Sequence, residues 1–282
     1  MLVVDVTMKK KSDQISLIKL ISLKNKKALI TGSGAGIGKA IAHRFAEAGA
    51  NLVLVDINFQ NIAKVKENLG QFNVEVELYK ADLSKSEEIN SLWEKMKGTE
   101  PDILVNNAAI YPTKSFLEVD HPFLERVLNV NLNSVFWMCQ NMIKSRLKKG
   151  GVIINMGSIE AVLPLKEGLS QYDISKAGVM ALSRALASEY GRNGFRVNVL
   201  VPGGIWTQGT KNLAKEAMKL NFGVLKSGFE YRMRSPLGRM GNADEVACMA
   251  LVLACDLSSY VTGALIVVDG GFLSAFLFSK KI

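Results

Sequence analysis

The sequence has few of the residues that a metal site or a disulfide framework requires. Its 282 residues include only three cysteines and two histidines. Cys139, Cys248 and Cys255 form no C-x-x-C pair, and an odd number of cysteines cannot all close disulfides within one chain. His43 and His121 are far apart in the sequence, so there is no Cys/His cluster to bind zinc. The composition therefore predicts no metal and favours a reducing, cytoplasmic location.

Long apolar runs are also missing. The best one, Leu132–Ile143, is far shorter than the roughly 18–20 residues that span a bilayer. A second candidate, Val261–Phe278, is broken by Asp269, Gly270 and Gly271. The beginning of the chain places its apolar residues before its lysines, which is the reverse of a secretory signal. The sequence thus predicts no membrane partner and no signal peptide.

The excess of positive charge lies at one end of the chain. The net charge is +9, and residues 1–27 carry +5 of it, from seven lysines against Asp5 and Asp13. The remainder carries only +4, which is too little for a nucleic-acid-binding face, so no nucleic-acid partner is expected. Residues 1–23 are interpreted as an N-terminal extension. Residues 24–282 have a length typical of one large domain.

Short apolar runs alternate with longer segments of helical spacing, such as Ile41, Phe45 and Ala48. Strands separated by helices predict right-handed βαβ units, so the expected fold is an α/β, doubly wound domain with about seven parallel strands and helices on both faces. The seven predicted strands are Ala28–Thr31, Leu52–Val55, Val74–Leu78, Ile103–Val105, Val152–Asn155, Val197–Val201 and Leu265–Val268.

One long segment, Trp206–Glu245, contains no predicted strand and is rich in glycine, methionine and aromatic residues. Ligands of α/β sheets bind beyond the carboxyl ends of the strands. Long loops in compact domains are usually functional. We therefore predict that residues 206–241 form a lid over the substrate.

A glycine-rich loop, TGSGAGIG at residues 31–38, follows the first predicted strand and opens a helix. Glycines allow a sharp turn, and they let a pyrophosphate approach the N–H groups at the positive end of that helix. The loop fits T-G-x-x-x-G-x-G. It does not fit G-x-G-x-x-G, which needs glycine at Ile37, or the phosphate loop, which needs serine or threonine at Ala40. The residues predicted to bind a dinucleotide here are Gly32, Ser33, Gly36, Ile37 and Gly38.

Polar residues follow the next two strands. Asp56 ends the second strand, where an acid can bind the ribose hydroxyls of adenosine and repel a 2′-phosphate. Neither Ser33 nor Ile57 supplies the cation that a 2′-phosphate requires, so the predicted cofactor is NAD rather than NADP. Asp82 and Leu83, after the third strand, are predicted to flank the adenine.

Tyr172 and Lys176 are four residues apart, which places them on one face of a helix. An adjacent ammonium stabilises a phenolate and lowers the tyrosine pKa from about 10, so that the phenol can act as a general base. Because lysine is common in this chain, the pair alone is weak support. Ser158 follows the strand Val152–Asn155 and is predicted to face the same crevice, although an ordinary buried serine is the alternative. Together the three motifs predict hydride transfer to or from a carbonyl.

With these motifs the sequence resembles the short-chain dehydrogenases/reductases over about residues 23–272. Asn106–Ala109 is similar to that family's N-N-A-G segment, with Ala109 in place of the usual glycine. Asn131 matches the family's helix asparagine, which holds a water in a proton relay. The resemblance implies a single Rossmann-type domain and a nicotinamide cofactor. It also implies that the remaining cofactor contacts are Asn107, Ala108, Pro202, Gly203, Ile205 and Thr207.

The resemblance further implies a mechanism and an assembly. Tyr172 would exchange a proton with the substrate oxygen, and Ser158 would polarise the carbonyl. Lys176 would lower the tyrosine pKa and bind the nicotinamide ribose. The assembly would be a homotetramer paired through the helices near residues 120–148 and 172–192.

The predicted substrate is a small molecule, either a secondary alcohol or a sugar. A 3-oxoacyl-[acyl-carrier-protein] reductase is the alternative that the segment Ser235–Gly241 also resembles, but it would prefer NADP, against Asp56. A sensor that binds the dinucleotide without turnover is a second alternative, and the intact acid/base set argues against it. Ile110, Tyr111 and Glu160 are among the candidate residues of the substrate wall, although apolar residues at such spacing are more often packing and a glutamate there is more often solvated than a ligand.

Overall fold

Seven parallel strands form one sheet in the order β3-β2-β1-β4-β5-β6-β9. The computed structural model describes residues 15–207 and 231–275. Two further strands, β7 and β8, pair only with each other. The strands are β1 (Lys27–Thr31), β2 (Asn51–Asp56), β3 (Val76–Lys80), β4 (Ile103–Asn106), β5 (Gly151–Met156), β6 (Phe195–Pro202), β7 (Ile205–Trp206), β8 (Gly241–Asn242) and β9 (Leu265–Val268).

Helices connect the strands of the main sheet. Residues 231–234 are helical as well, and short 3₁₀ turns lie at Phe116–Glu118, Ile159–Ala161, Gly191–Asn193, Asp256–Ser258 and Phe272–Ser274. The α-helices are α1 (Leu17–Ile21), α2 (Gly36–Glu47), α3 (Phe59–Asn68), α4 (Ser86–Lys95), α5 (His121–Leu128), α6 (Ser134–Arg146), α7 (Ser170–Tyr190) and α8 (Ala243–Ala254). In the described part of the chain, none of the helices is both long and apolar enough to cross a membrane.

Both faces of the sheet are covered by helices, which confirms the predicted doubly wound α/β fold. Leu29 and Ile30 of β1 are neighbours in sequence and both are fully buried. Ile30 lies in a core cluster with side chains of α2, α3 and α8, whereas Leu29 lies in a second cluster with side chains of α4, α6 and α7. Strands buried on both faces are continuously apolar. This continuity is why the sequence alone located all seven strands of the sheet.

Two details of the predicted strands are wrong. The third strand was expected at Val74–Leu78, but β3 is Val76–Lys80, because the N–H of Val74 closes a turn onto Phe72 and the pairing with β2 continues to Lys80. The segment expected to lack strands contains β8, which pairs in parallel with β7. A two-residue strand leaves no hydrophobic pattern that could predict it. Residues 208–230 of the expected lid lie outside the described residues.

The chain enters the core at Leu23. Its side chain is 1% exposed and packs in the cluster under α2, and its N–H donates to the carbonyl of Ala48 at 2.8 Å. The preceding helix α1 buries none of its residues. We propose that the folded domain needs Leu23 but does not need the residues before it.

Deletion of residues 1–22 should change the free energy of unfolding by less than about 1 kcal/mol, because α1 removes little apolar surface from water. Urea denaturation measures this change. In the full chain, Leu23→Ala should cost about 2–5 kcal/mol, since it empties a buried site. A truncated chain that unfolds at much lower urea than the full chain would show that the extension is integral to the fold.

Candidate functional site

The glycine loop connects β1 to α2 in a conformation that requires glycine. Gly32 has a φ of +61°, in the left-handed region, and a Cβ there would lie 2.8 Å from the Cα of Ala108. A Cβ on Gly38 would lie 2.2 Å from the carbonyl oxygen of Gly32. Helix α2 begins at Gly36, and its N-cap Ala35 provides no side-chain hydrogen bond. The first N–H groups of α2 therefore remain available for an anion.

A cleft of about 490 Å³ opens beside this loop. It lies where the strand order reverses, since the chain runs from β1 outward to β3 and then returns to β4 on the other side of β1. This reversal is the usual ligand site of doubly wound sheets. The predicted cofactor residues that line the cleft are Gly32, Gly36, Ile37, Asp56, Ile57, Asp82, Leu83, Asn107, Ala108 and Thr207.

The remaining predicted cofactor residues lie around the cleft or behind it. Ser33 is buried, and its hydroxyl donates to the carbonyl of Val55 at 3.3 Å. Pro202, Gly203 and Ile205 lie where β6 ends, and the N–H of Gly203 donates to the carbonyl of Val268 at 3.0 Å. Ala109, from the segment similar to N-N-A-G, and Ile110, a candidate substrate contact, also line the cleft. Sequence analysis did not identify the other residues that line it as site residues: Ala35, Val55, Ala81, Ser84, Arg126 and Val130.

Asp56 is oriented by the backbone around it. Its Oδ2 accepts a hydrogen bond from the N–H of Gly34, and its Oδ1 accepts one from the N–H of Asn58, both at 2.9 Å. These two bonds use one acceptor position on each oxygen, which leaves the carboxylate able to accept more. The structure thus fixes a carboxylate at the edge of the cleft, next to the glycine loop.

Thr31 and Asn107 join the ends of β1 and β4. The hydroxyl oxygen of Thr31 accepts hydrogen bonds from the N–H groups of Asn107 and Ala108, each at 3.0 Å. In return, the amide of Asn107 donates to the carbonyl oxygens of Thr31 and Gly32, also at 3.0 Å. These bonds hold the glycine loop against the segment after β4, and so they fix one wall of the cleft.

Asn131 lies in a π-helical turn, Asn129–Asn133, between α5 and α6. Its side chain is fully buried. The carbonyl Oδ1 accepts from the N–H of Ile110 at 2.8 Å, and Nδ2 donates to the carbonyl of Ile110 at 2.9 Å and to the hydroxyl of Ser175 at 3.3 Å. Asn131 therefore ties the segment after β4 to α7. A π-turn is frequent at functional sites, but no periodic pattern in the sequence reveals it.

Ser158, Tyr172 and Lys176 come together beyond the end of β5. The hydroxyl of Ser158 accepts from the N–H of Glu160 at 3.2 Å and hydrogen-bonds the phenol of Tyr172. The ammonium of Lys176 is fully buried, donates to the carbonyl of Met156 at 2.8 Å, and lies 5.8 Å from the centre of the Tyr172 ring. The structure thus places the predicted serine beside the tyrosine and the lysine.

Burial controls the protonation of this group. It raises the pKa of Tyr172 to about 12, against the lowering effect of the Ser158 hydrogen bond, and it lowers the pKa of Lys176 to about 8. The expected lowering of the tyrosine pKa is therefore wrong for the chain by itself. Loss of water is the largest effect on the tyrosine pKa, and the nitrogen of the neighbouring ammonium is directed at the carbonyl of Met156. A phenol that stays protonated near neutral pH is a proton donor.

Two acidic residues and a second tyrosine surround Tyr172. Tyr111 packs against it edge to face, with ring centres 4.6 Å apart, and donates from its hydroxyl to Oε1 of Glu160 at 3.2 Å. Glu160 is buried, so the expectation that it is solvated is wrong. Burial, with a contribution from the charge of Glu160, raises the pKa of Asp173 to about 6. Among the described residues, the buried Oδ1 of Asp173 finds no hydrogen-bond partner.

Comparison with known proteins places this geometry among oxidoreductases. The family model described as Enoyl-(Acyl carrier protein) reductase matches residues 32–273. The chain is 37% identical to the 2-dehydro-3-deoxy-D-gluconate 5-dehydrogenase of Bacillus subtilis, over 90% of this chain and 96% of the relative. It is 34% identical to the 3-oxoacyl-[acyl-carrier-protein] reductase FabG of Aquifex aeolicus, over 89% of this chain and 98% of the relative.

A solved relative shows the same fold in full. The L-sorbose reductase of Gluconobacter frateurii, complexed with NADPH and L-sorbose, matches with a TM-score of 0.85 and 30% identity. The match covers 91% of this chain and 100% of the reductase. The similarity therefore extends over nearly all of both chains and includes both the cleft and the residues around Tyr172.

The raised pKa of Asp173 predicts a pH-dependent effect of its replacement. The folded chain binds this proton more tightly than an unfolded chain, where the ordinary value is 3.8. The stabilisation that this bound proton contributes is fully present below about pH 4, and it is lost as the pH rises through about 6. Asp173→Asn should match the native free energy of unfolding near pH 4 and exceed it by about 1–2 kcal/mol at pH 8, which allows for partial solvation of the side chain.

Urea denaturation at the two pH values measures this difference. As a control, Glu189→Gln removes an exposed carboxylate from the same helix, α7, and should leave the unfolding free energy nearly unchanged at both. If Asp173→Asn were no more stable than the native chain at pH 8, the carboxylate would not be destabilised by its burial.

Proposed function

The chain belongs to the short-chain dehydrogenase/reductase family, and from this membership we propose that it interconverts a secondary alcohol, or a hydroxyl of a sugar, and the corresponding carbonyl by NAD(P)-dependent hydride transfer. The observation that carries the proposal is the buried group formed by Ser158, Tyr172 and Lys176, next to a cleft of dinucleotide size. The similarity to dehydrogenases and reductases over nine-tenths of the chain supports it.

The cleft fits a nicotinamide dinucleotide. The uncapped N–H groups at the start of α2 would bind its pyrophosphate, and Asp56 would bind the adenosine ribose. Asp82 and Leu83 would flank the adenine, and Asn107, which also lines the cleft, would contact the cofactor as well. When bound, the nicotinamide supplies or accepts the hydride, whereas the protein provides orientation and protons.

The acid/base work falls to Tyr172. Because burial keeps its pKa near 12, its phenol is protonated at neutral pH and can donate a proton to the oxygen of a carbonyl substrate. The hydroxyl of Ser158 hydrogen-bonds this phenol and would polarise the same carbonyl. Lys176 is held by the carbonyl of Met156, from where its charge would stabilise the phenolate left after the transfer.

A second candidate function is reduction of a 3-oxoacyl thioester. It is favoured by the similarity to FabG of Aquifex aeolicus and by the description of the matching family model. Both functions use the same acid/base group, so they differ in substrate rather than in chemistry. Turnover of sugars, polyols, secondary alcohols and 3-oxoacyl thioesters with NADH and NADPH separates them. A sensor without turnover would reduce none of these carbonyls.

Two further expectations complete the proposal. The segment 206–241 would cover the substrate, which is supported by the β7–β8 pair that brings its two ends together beyond β6.

The protein would work in the cytoplasm, which is supported by the unpaired thiols of Cys139, Cys248 and Cys255. Cys139 is fully buried, and burial raises its pKa to about 12, so this thiol stays protonated and unreactive.

Replacement of Tyr172 by phenylalanine should lower kcat by about 10²–10⁴-fold, the usual share of general acid–base catalysis, and leave cofactor affinity nearly unchanged. The ring still packs against Tyr111, and only the hydroxyl is lost. Steady-state kinetics and cofactor titration measure the two effects. Tyr190→Phe, in the same helix but away from the cleft, is the control and should retain activity. If Tyr172→Phe kept more than a tenth of native turnover with chemistry rate-limiting, the role of Tyr172 would be refuted.

For the choice of cofactor, we propose NAD over NADP. Asp56 and Ile57 both line the cleft, and a carboxylate followed by an apolar side chain offers nothing to bind a 2′-phosphate. Arg126 is the one cation that lines the cleft within the described ranges. The hydrogen bonds from Ser84 are the main cause of the lowered pKa of Asp82, and the charge of Arg126 adds to it, so Arg126 lies near the predicted adenine contact. The solved L-sorbose reductase contains NADPH, so direct measurement of the native preference is the first test.

Asp56→Ser combined with Ile57→Arg should shift the NAD/NADP preference by at least about 10²-fold towards NADP. The change removes a repelling carboxylate and adds a guanidinium, and each charge-assisted contact is worth about 1.5–3 kcal/mol. Cofactor affinities measured at low and high salt test this, because salt should weaken the new contact. Leu147→Arg adds the same charge on a different surface and should leave the preference unchanged. A native chain that already prefers NADP would refute the interpretation of Asp56.

We propose that the protein is a homotetramer paired through α6 and α7. On α6, Phe136 and Trp137 pack against each other at 5.0 Å yet are 43% and 40% exposed, and Ile174 of α7 is exposed as well. Apolar side chains grouped on predicted pairing helices are typical of subunit contacts. Sedimentation equilibrium should give the mass of four chains.

The variant Trp137→Glu should reduce that mass, because it places a charge in the contact. Phe59→Glu is the matched control, since it alters an equally exposed aromatic residue on α3. A native chain that sediments as a monomer would refute the proposed assembly.

A further inference from the structure

We infer that the carboxylate of Glu160 selects the substrate: it accepts hydrogen bonds from the hydroxyls of a neutral polyhydroxy ketone or alcohol, and it repels a substrate that carries its own carboxylate. The inference rests on the proposed function and narrows its substrate class. Glu160 belongs neither to the glycine loop nor to the acid/base group. The basis of the inference is the position of Glu160 beside Ser158 and Tyr172.

The geometry holds Glu160 at the reacting end of the site. Its N–H donates to the hydroxyl of Ser158 at 3.2 Å, so its side chain begins next to that hydroxyl. The side chain is only 8% exposed, although it is acidic. Its Oε1 accepts from the hydroxyl of Tyr111 at 3.2 Å, and its Oε2 accepts from the N–H of Leu165 at 2.9 Å. Tyr111 in turn packs against the ring of Tyr172.

These contacts leave acceptor capacity on the carboxylate. An ionised carboxylate has about four acceptor positions. One position on each oxygen is used, by Tyr111 and by Leu165, so each oxygen can accept a further hydrogen bond. Sugar and polyol hydroxyls are donors, and hydrogen bonds from hydroxyls to a charged acceptor are among the strong ones. The hydroxyls of a polyhydroxy substrate would therefore occupy the acceptor positions that the protein leaves free.

The charge of Glu160 is not neutralised by the described part of the chain. None of the lysines and arginines described forms an ion pair with it. Its effect reaches the groups around the reacting oxygen, because its charge contributes to the raised pKa of Tyr172 and of Asp173. Charges interact more strongly in a buried site than in water. An anionic substrate bound against Ser158 and Tyr172 would thus be repelled, whereas a neutral one would not.

The relatives span the substrate classes that this inference separates. The Bacillus subtilis dehydrogenase is named for a sugar acid, the Gluconobacter frateurii reductase was solved with a neutral ketose, and FabG is named for an acyl thioester. Similarity alone does not choose among them, since the identities to these relatives lie between 30% and 37%. Glu160 supplies a physical reason to choose the neutral polyhydroxy class.

A matched pair of substrates tests the inference. L-Sorbose and 5-dehydro-D-gluconate carry the same reacting ketone, and they differ in a terminal CH₂OH against a carboxylate. We expect the native chain to reduce L-sorbose with a kcat/KM at least about tenfold higher than that for the ketoacid. Glu160→Gln keeps the size of the side chain and one acceptor oxygen, replaces the other oxygen with an NH₂ donor, and removes the charge. It should shift the ratio at least about tenfold towards the ketoacid, chiefly by improving reduction of the ketoacid.

Glu167→Gln is the matched control, because it removes an equal charge from an exposed position of the same loop and should leave the ratio unchanged. Cofactor titration of Glu160→Gln shows whether the variant is folded. If it is not folded, the ratio of the two kcat/KM values measured on the native chain still tests the inference. A native preference for the ketoacid, or a ratio unaffected by Glu160→Gln, would overturn the inference.

The outcomes also separate this inference from the proposed function. If the chain reduced neither hexose derivative but reduced a 3-oxoacyl thioester or a simple ketone, selection by Glu160 would be refuted and hydride transfer would stand. If no carbonyl compound of either kind were reduced with NADH or NADPH, the proposed function would fail, and the inference with it.

Discussion

The exchange of hydrogen bonds between Thr31 and Asn107 is the constraint on which the rest of the site depends. It fastens the end of β1 to the segment after β4, at the place where the sheet reverses its strand order. The glycine loop can come so close to that segment only because Gly32 has no Cβ. From there Ile110 is held by Asn131, which also reaches Ser175 in α7. The hydroxyl of Ser175 donates to the backbone carbonyl of Tyr172 at 2.6 Å, so hydrogen bonds and the intervening backbone link the cleft to the acid/base group.

Burial then sets the chemistry of the groups so assembled. Lys176 and Tyr172 are removed from water, which favours the neutral form of each. Such burial is costly unless the groups are hydrogen-bonded, and the carbonyl of Met156 and the hydroxyl of Ser158 meet that requirement. Burial therefore moves the two pKa values apart, to about 12 for Tyr172 and about 8 for Lys176, whereas their ordinary values are nearly equal. Near neutral pH the result is a protonated phenol beside a cation.

Much of the fold was predictable because its signals are local. A strand covered on both faces must be apolar throughout, and a loop that approaches a phosphate must be rich in glycine, so β1 and residues 31–38 were evident in the sequence. What could not be predicted depends on contacts between distant segments. Arg126 of α5 lines the cleft, and the buried carboxylate of Glu160 is hydrogen-bonded by Tyr111, 49 residues earlier in the chain. The pKa of Tyr172 could not be predicted either, because helical spacing reports which face a residue occupies and not how much water remains around it.

The π-turn at Asn129–Asn133 has a consequence beyond the site itself. In a regular helix, each residue is fixed at about 100° from the next, so a change of tilt or rotation at one end is transmitted to the other. The π-turn changes this angular relation between α5, which faces the cleft through Arg126, and α6, which displays Phe136 and Trp137 outward, because its hydrogen bonds span one residue more than those of a regular α-helix. The same stretch of chain can therefore turn Asn131 towards Ile110 while it directs Phe136 and Trp137 outward.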